Sequence, residues 1–230
     1  MKIRKWEEIP DFMRIPEVRP YYDALKKKRV SLIVKRMFDI VSSGILLMVL
    51  SPVFVVLAVA IKIDSPGPVF YRQERVTQYG RIFRIHKFRT MVNHADKIGS
   101  AVTVSGDSRI TSTGAFLRKY RLDEIGQLID VLVGDMTFVG TRPEVKKYVD
   151  QYKPVMRATL LLPAGVTSEA SIRYKDEAEQ LTGVEDVDKT YVEKILPDKL
   201  AINLEYLNNF GFITEVSVMT RTVIAVIKRT

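Results

Sequence analysis

The chemistry of this chain is concentrated at Asp123-Glu124, two adjacent carboxylates heading a stretch in which Ile125, Leu128, Ile129 and Leu132 recur at helical spacing. Acids at a helix start are ordinarily capping groups, worth roughly 0.3–1 kcal/mol against the helix dipole. Comparable pairs stand at Asp176-Glu177 and Glu185-Asp186. What distinguishes the first pair is its cations. Arg118 and Arg121 lie just upstream, Arg142 sits downstream in a Gly-Thr-Arg-Pro loop, and Lys87 and Arg89 come from an earlier segment. A carboxylate kept ionised by a helix N-terminus and nearby cations is a candidate nucleophile toward phosphorus. Arginines in fork geometry hold phosphates, and a shared Mg2+ ion offsets the repulsion when an anion attacks a diphosphate.

No other catalytic apparatus competes. The chain has no GxxxxGK[ST] loop, no GxGxxG, no GxSxG elbow and no HExxH helix. His86 and His94 lack a third ligand of suitable spacing, so structural roles are expected for both. The absence of cysteine rules out disulfides and thiolate metal sites and fits a reducing compartment.

The dyad must be positioned by the rest of the chain, and the dominant element is Ile40–Ile61, twenty-two residues without a charge. A helix of that length covers roughly 33 Å, enough for a bilayer's hydrocarbon core. Pro52 in its middle removes a backbone donor and predicts a kink, with the Ser51 hydroxyl placed to help satisfy a freed carbonyl. A kinked crossing span and a helix-break-helix hairpin returning to one face both fit the length. The flanks favour the hairpin: residues 1–36 carry net charge +6 and residues 62–121 carry +8, against −4 for residues 122–230. Lys and Arg mark the cytoplasmic side of a membrane segment, and here both ends bear that mark. Asp39, at the start of the run, is read as pairing with Arg36 or Lys35 or as capping the helix. A buried core helix of a soluble protein fits poorly, because the run is apolar on all sides.

The chain's net charge of +9 thus hugs the apolar run, as expected for a face on anionic lipid. Nucleic acid is not an expected partner, since zinc-finger spacing and an aromatic RNA-binding motif are both missing. A cleavable leader is not expected either, because the first thirty-six residues are charged and lack a short apolar core. Residues 1–34 read as an extension broken by Pro10, Pro16 and Pro20; Trp6, Phe12, Tyr21 and Tyr22 suit either the headgroup level or packing on the domain. Residues 35–63 form the membrane hairpin, and residues 64–230 a cytosolic domain. In the latter, Val69–Arg75 and Arg81–Phe88 alternate as two hairpin strands, and residues 93–109 read as loop or partial helix. Helices are expected at Thr113–Tyr120 and Asp123–Val133, the second closed by Gly134. Met136–Val139 reads as extended, Pro143 as the first turn of a helix, and Pro163-Ala164-Gly165 as the start of an irregular stretch. Residues 175–200 are acidic and read as helical in parts. Ile213–Ile227 presents one apolar face, ended by Lys228 and Arg229, and suits either a membrane interface or the core.

The order of these motifs resembles the bacterial sugar transferases of the monotopic phosphoglycosyl transferase superfamily. The resemblance runs from Lys35-Arg36-Met37-Phe38-Asp39 through Ser51-Pro52, Ser65-Pro66-Gly67-Pro68-Val69-Phe70, Lys87-Phe88-Arg89-Thr90-Met91 and Gly114 to Arg118. It continues with Leu122-Asp123-Glu124-Ile125, Gln127-Leu128, Gly134-Asp135-Met136 and Phe138-Val139-Gly140-Thr141-Arg142-Pro143. It implies an α+β fold: a membrane-embedded re-entrant helix-break-helix, a small, mostly helical cytosolic domain with a short β-hairpin, and interfacial amphipathic helices. It also implies transfer of a sugar 1-phosphate from a UDP-sugar to a polyprenyl (undecaprenyl) phosphate, with release of UMP. Asp123 would form a covalent phosphosugar intermediate and hold Mg2+, Glu124 would assist, and Arg89, Arg118, Arg142 and Lys87 would contact phosphates. The implied location is the cytoplasmic face of the bacterial inner membrane, among its lipids; a homo-oligomer is left open. The chain departs from the family pattern at Thr141, where Pro-Arg-Pro is usual, and across residues 162–172, where an arginine and a Trp-Ala-Gln-Val-Asn-Gly run are missing. The alternative is therefore a catalytically inactive, membrane-tethered scaffold of the same fold. Accessibility reporters placed before Lys35 and after Ile61 are both expected in the cytoplasm; one on each side would establish a crossing span.

Overall fold

The computed structural model describes residue 1 and residues 3–95, 106–181 and 183–227. Residues 96–105 of the polar segment, and Lys228 and Arg229 after the last helix, lie outside the described residues.

Helix α1 (Arg19–Lys27) is followed at once by α2 (Arg29–Asp64), a 36-residue helix. The expected two helices with a break are corrected here to one helix that runs through Pro52. Proline cannot donate to the carbonyl four residues back, so Met48 loses its usual partner. The Ser51 hydroxyl donates to that same carbonyl at 2.8 Å. The two ends of α2 pack on the domain, through Leu32, Lys35, Asp39 and Ser43 at one end and Leu57 and Ile61 at the other. Between them the helix exposes apolar side chains: Met48 is 78% exposed and Val56 66%.

Asp39 is buried, and neither sequence expectation for it holds. Its carboxylate accepts from the Thr137 hydroxyl at 2.7 Å and the Phe138 amide at 3.2 Å. Lys35 donates to the Val139 carbonyl at 2.9 Å and pairs with Glu215. Arg36 donates to the Val131 and Leu132 carbonyls at 2.6 and 2.9 Å, capping the helix that follows the dyad.

The expected hairpin is present, as two short ladders in one register. β1 (Phe70–Tyr71) pairs with β4 (Lys87–Phe88), and β2 (Glu74–Val76) with β3 (Ile82–Arg84), all antiparallel. The turn carries Tyr79 and Gly80 at positive φ. Next comes α3 (Ser112–Lys119), capped by the Thr111 side chain. Gly114 lets α3 close on the hairpin's exit: a Cβ there would lie 2.0 Å from the Thr90 carbonyl. A 3-10 turn, Leu122–Glu124, precedes α4 (Gln127–Val133), which Gly134 ends in the left-handed conformation. The dyad therefore sits in a separate turn ahead of the helix rather than on its first turn.

β5 (Met136–Val139) leads to α5 (Lys146–Val149), so Pro143 stands in the loop before that helix instead of in its first turn. Where an irregular stretch was expected, β6 (Ala164–Thr167) pairs in parallel with β5. Gly165 is required there, because a Cβ would meet Gly140 backbone atoms at 2.2 Å. α6 (Glu169–Arg173), α7 (Glu177–Gln180) and α8 (Val187–Thr190) lead through a π-helical turn into α9 (Leu196–Asn208) and α10 (Phe212–Ile227). Of the aromatics of the extension, Tyr22 is buried in the core and Trp6 and Tyr21 pack half-buried against it, whereas Phe12 is exposed. α10 buries Val218 in the core and leaves Ile213, Val223 and Ile224 exposed.

Replacing Asp39 by Ala would leave a buried hydroxyl and a buried amide without an acceptor, at about 2 kcal/mol or more. The thermal unfolding midpoint is expected to fall by about 5 °C, which a melting curve in detergent checks.

Candidate active site

Lys87, Asp123, Glu124 and Arg142 come together from three places in the chain: strand β4, the 3-10 turn, and the loop between β5 and α5. The turn is set by Arg121, which adopts the left-handed conformation (φ 57°, ψ 21°) and swings the chain from α3 toward α4. Its floor is fixed by Asp130 on α4, which accepts from the His86 amide at 2.8 Å and the His86 ring at 2.6 Å. Gly126 lets α4 close on that strand, since a Cβ would lie 2.8 Å from the His86 carbonyl. His86 is thus structural, and its neighbour Lys87 is delivered to the dyad.

Asp123 is 2% exposed. Lys87 Nζ lies 2.9 Å from Asp123 Oδ2 and 3.5 Å from Glu124 Oε1. Asp123 Oδ1 is buried and accepts no hydrogen bond among the described residues. Glu124 is clamped more heavily. Arg142 forms a two-pronged contact with it, one prong at 3.3 Å, and Arg121 stands 3.7 Å away. Burial pushes the Glu124 carboxyl up, but Arg142, Lys87 and Arg121 together outweigh burial and hold it well below the usual carboxylate range. Glu124 in turn raises the Arg142 pKa further.

Arg118 lines the same cavity, with Nε donating to the Thr90 hydroxyl at 2.9 Å. Burial lowers its pKa, and the field of Asp123 partly restores it. Arg89 is the sequence-predicted site residue that the fold places elsewhere. Its guanidinium donates to the carbonyls of Ser65 at 2.6 Å and Pro66 at 2.9 Å, capping the end of α2. That burial in a carbonyl cradle leaves it off the cavity wall, so it serves to join α2 to the strand that carries Lys87.

The cavity holds about 820 Å³. Part of its lining is apolar, from Leu46 and Leu50 of α2, Leu128 of α4 and Ala225 of α10, and the dyad and its cations line it too. Part is polar and includes Glu144, Tyr191 and Lys199, which sequence reasoning did not single out. Only Glu144 left a local trace, two residues after Arg142 in the same loop.

An acidic dyad inside a ring of cations, beside an apolar helix, is the arrangement the sequence resemblance required. The profile of the bacterial sugar transferase family matches residues 30–229. The chain belongs to that family. It is 33% identical, over 83% of its length, to the UDP-N-acetylgalactosamine-undecaprenyl-phosphate N-acetylgalactosaminephosphotransferase of Aeromonas hydrophila, covering 43% of that protein. Identity is also 33%, over 90% of the chain, to the UDP-glucose:undecaprenyl-phosphate glucose-1-phosphate transferase of Escherichia coli K12, covering 42% of it. A third relative, the exopolysaccharide production protein PSS of Rhizobium leguminosarum, is 33% identical over 87% of the chain, which covers 98% of that protein. The chain thus spans less than half the length of the first two relatives and nearly all of the third.

The clamp on Glu124 has a pH signature. A carboxyl whose folded pKa is depressed contributes stability above its unfolded value of about 4.3, and loses it as pH falls through the folded pKa. In Arg142→Gln the burial of Glu124 is less compensated and its pKa rises, so the variant's penalty is largest near neutrality. The gap in melting temperature between wild type and Arg142→Gln is expected to narrow as pH is lowered from 7 to 4; a gap independent of pH would contradict the clamp.

Proposed function

We propose that this protein transfers a sugar 1-phosphate from a UDP-sugar to undecaprenyl phosphate, releasing UMP and starting a membrane-associated glycan. The observation that carries the reading is the position of buried Asp123, within a ring of cations, in a cavity lined both by α2 and by polar groups. The names of the Aeromonas and Escherichia relatives support both substrates.

In the first step an Asp123 carboxylate oxygen attacks the β-phosphorus of the donor. A Pβ–O bond forms, the bridging Pα–O–Pβ linkage breaks on the β side, and UMP leaves with the electron pair. In the second step an oxygen of undecaprenyl phosphate attacks the same phosphorus and expels the Asp123 carboxylate, giving the polyprenyl diphosphate sugar. Lys87 holds Asp123 in its attacking position and, with Arg118, stabilises charge on the transferred phosphate. Glu124, ionised and tied to Arg142, is a weak base. Its part is to aim Arg142 at the phosphates, and the lipid phosphate arrives already anionic.

Magnesium fits the donor set. A Mg2+ site needs only one or two carboxylates beside substrate phosphates, and Asp123 Oδ1 is open while no larger acidic cluster occurs among the described residues. Bound by Asp123, the ion would lower the repulsion between carboxylate and diphosphate.

The membrane arrangement belongs to the same proposal. α2 enters the cytoplasmic leaflet of the inner membrane as a re-entrant element bent around Pro52, with its basic flanks at the headgroups. Its exposed apolar middle and its two packed ends support this. Residues 162–172, which depart most from the family pattern, still form β6, and the Val166 carbonyl accepts from Arg142 at 3.3 Å. That contact supports a working site over an inert scaffold.

With Mg2+, undecaprenyl phosphate and a panel of UDP-sugars, wild-type protein in nanodiscs is expected to release UMP from at least one donor. Asp123→Asn is expected to lower that rate by a factor on the order of a thousand or more, with the melting temperature retained. Turnover surviving in the variant would remove Asp123 as nucleophile; silence of the wild type on every donor would favour the scaffold.

A further inference from the structure

The polar part of the cavity lining holds a charged network that the proposed chemistry does not use. Glu144 is 7% exposed, Lys199 7% and Tyr191 3%. The Tyr191 hydroxyl donates to Glu144 Oε1 at 2.6 Å. Lys199 Nζ donates to Tyr191 at 3.0 Å and to Glu177 Oε2 at 2.7 Å, and stands 3.9 Å from Glu144 Oε1. Arg75 lies 3.9 Å from Glu144 Oε2.

Burying such a network costs desolvation that an apolar cluster of equal volume would avoid. Among the described residues the network is also not saturated. An ammonium has three donors, of which Lys199 commits two there, and Glu144 Oε2 meets only Arg75, at 3.9 Å. All five groups line the cavity that contains Asp123. A carboxylate acceptor beside an ammonium donor is the pairing that reads ring hydroxyls, each of which donates and accepts.

Position selects which part of the donor this is. Arg142, which grips Glu124, and Glu144 are two residues apart in a non-helical loop, so the chain between them spans at most about 7 Å. Under the reaction proposed above, on which this inference rests, the attacked phosphorus carries the sugar directly, while the uridine departs on the opposite side. The ring next to the dyad is therefore the sugar.

We propose that Glu144, Tyr191 and Lys199 form the subsite for the pyranose ring of the donor and set which sugar is transferred. Glu144 and Lys199 bond to ring hydroxyls, and Tyr191 fixes the distance between them.

Glu144→Gln and Tyr191→Phe keep shape while weakening or removing one member of the pairing; each tests the proposal if the other fails to fold. In nanodiscs, with the donor that wild type uses best, either variant is expected to raise KM about tenfold or more, as for a lost charge-assisted hydrogen bond. Relative rates across the UDP-sugar panel are expected to change. Inhibition by UMP, which carries no sugar, is expected to move less than twofold. Variants with unchanged KM and unchanged sugar preference would make the network purely structural and overturn the proposal. Equal weakening of UMP and donor would overturn it too, by assigning the subsite to the nucleotide. If wild type turns over no donor, the parent reading falls and takes this one with it; active wild type with indifferent variants removes this inference alone.

Discussion

A helix that is apolar on every side has no preferred rotation against its neighbours, because any face buries about the same area. In this protein the rotation of α2 is set by three polar side chains near its start. Asp39 reaches the Thr137 hydroxyl and the Phe138 amide, Lys35 reaches Val139 and Glu215, and Arg36 reaches the last carbonyls of α4. The contacts are directional, and those of Asp39 and Lys35 are buried, so a turned helix would strand charges without partners at several kcal/mol. The contacts also tie α2 to the strand after the dyad helix and to the helix itself. The wall that α2 contributes to the cavity, through Leu46 and Leu50, inherits its placement from them.

The second constraint is electrostatic. Two adjacent carboxylates in a buried turn repel each other and resist desolvation, and either effect alone would favour protonation. Lys87, Arg121 and Arg142 reverse that preference at Glu124. The division of labour between the two acids follows from their partners: Glu124 is gripped on both oxygens, whereas Asp123 keeps one buried oxygen without a donor among the described residues. A gripped carboxylate positions its partners; an open one is available to react or to bind a cation.

Joining apolar, charged and polar linings in one cavity suits the proposed reaction, whose substrates differ in the same way. A polyprenyl chain belongs with α2 and α10, phosphates with the cations, and a sugar with hydrogen-bonding groups. Arg89 supports this layout from outside, by holding the end of α2 against the strand that carries Lys87.

Much of this was determined by sequence alone. The apolar run, its proline and its basic flanks mark one helix long and apolar enough to cross a membrane without reference to any neighbour, and the Ser51 hydroxyl finds the carbonyl that Pro52 frees because both lie within one turn. The hairpin was legible because its strands alternate and are close in sequence; the helix closed by Gly134 was legible because glycine there takes a left-handed conformation. The tertiary structure decided what depends on distant partners. β6 shows no alternation in Ala164–Thr167 and exists because β5, twenty-odd residues earlier, supplies its ladder. Arg89 resembled a phosphate ligand by motif, yet the carbonyls of a helix end nearby in space claim it. Asp39 looked like a partner for its own helix and instead bonds a strand nearly a hundred residues away. Glu144, Tyr191 and Lys199 carry no shared spacing, so their meeting in the cavity lining is visible only once α9 has folded across the loop after β5. Local rules act within a few residues; a site assembled from several segments is specified only when burial and hydrogen bonding bring those segments together.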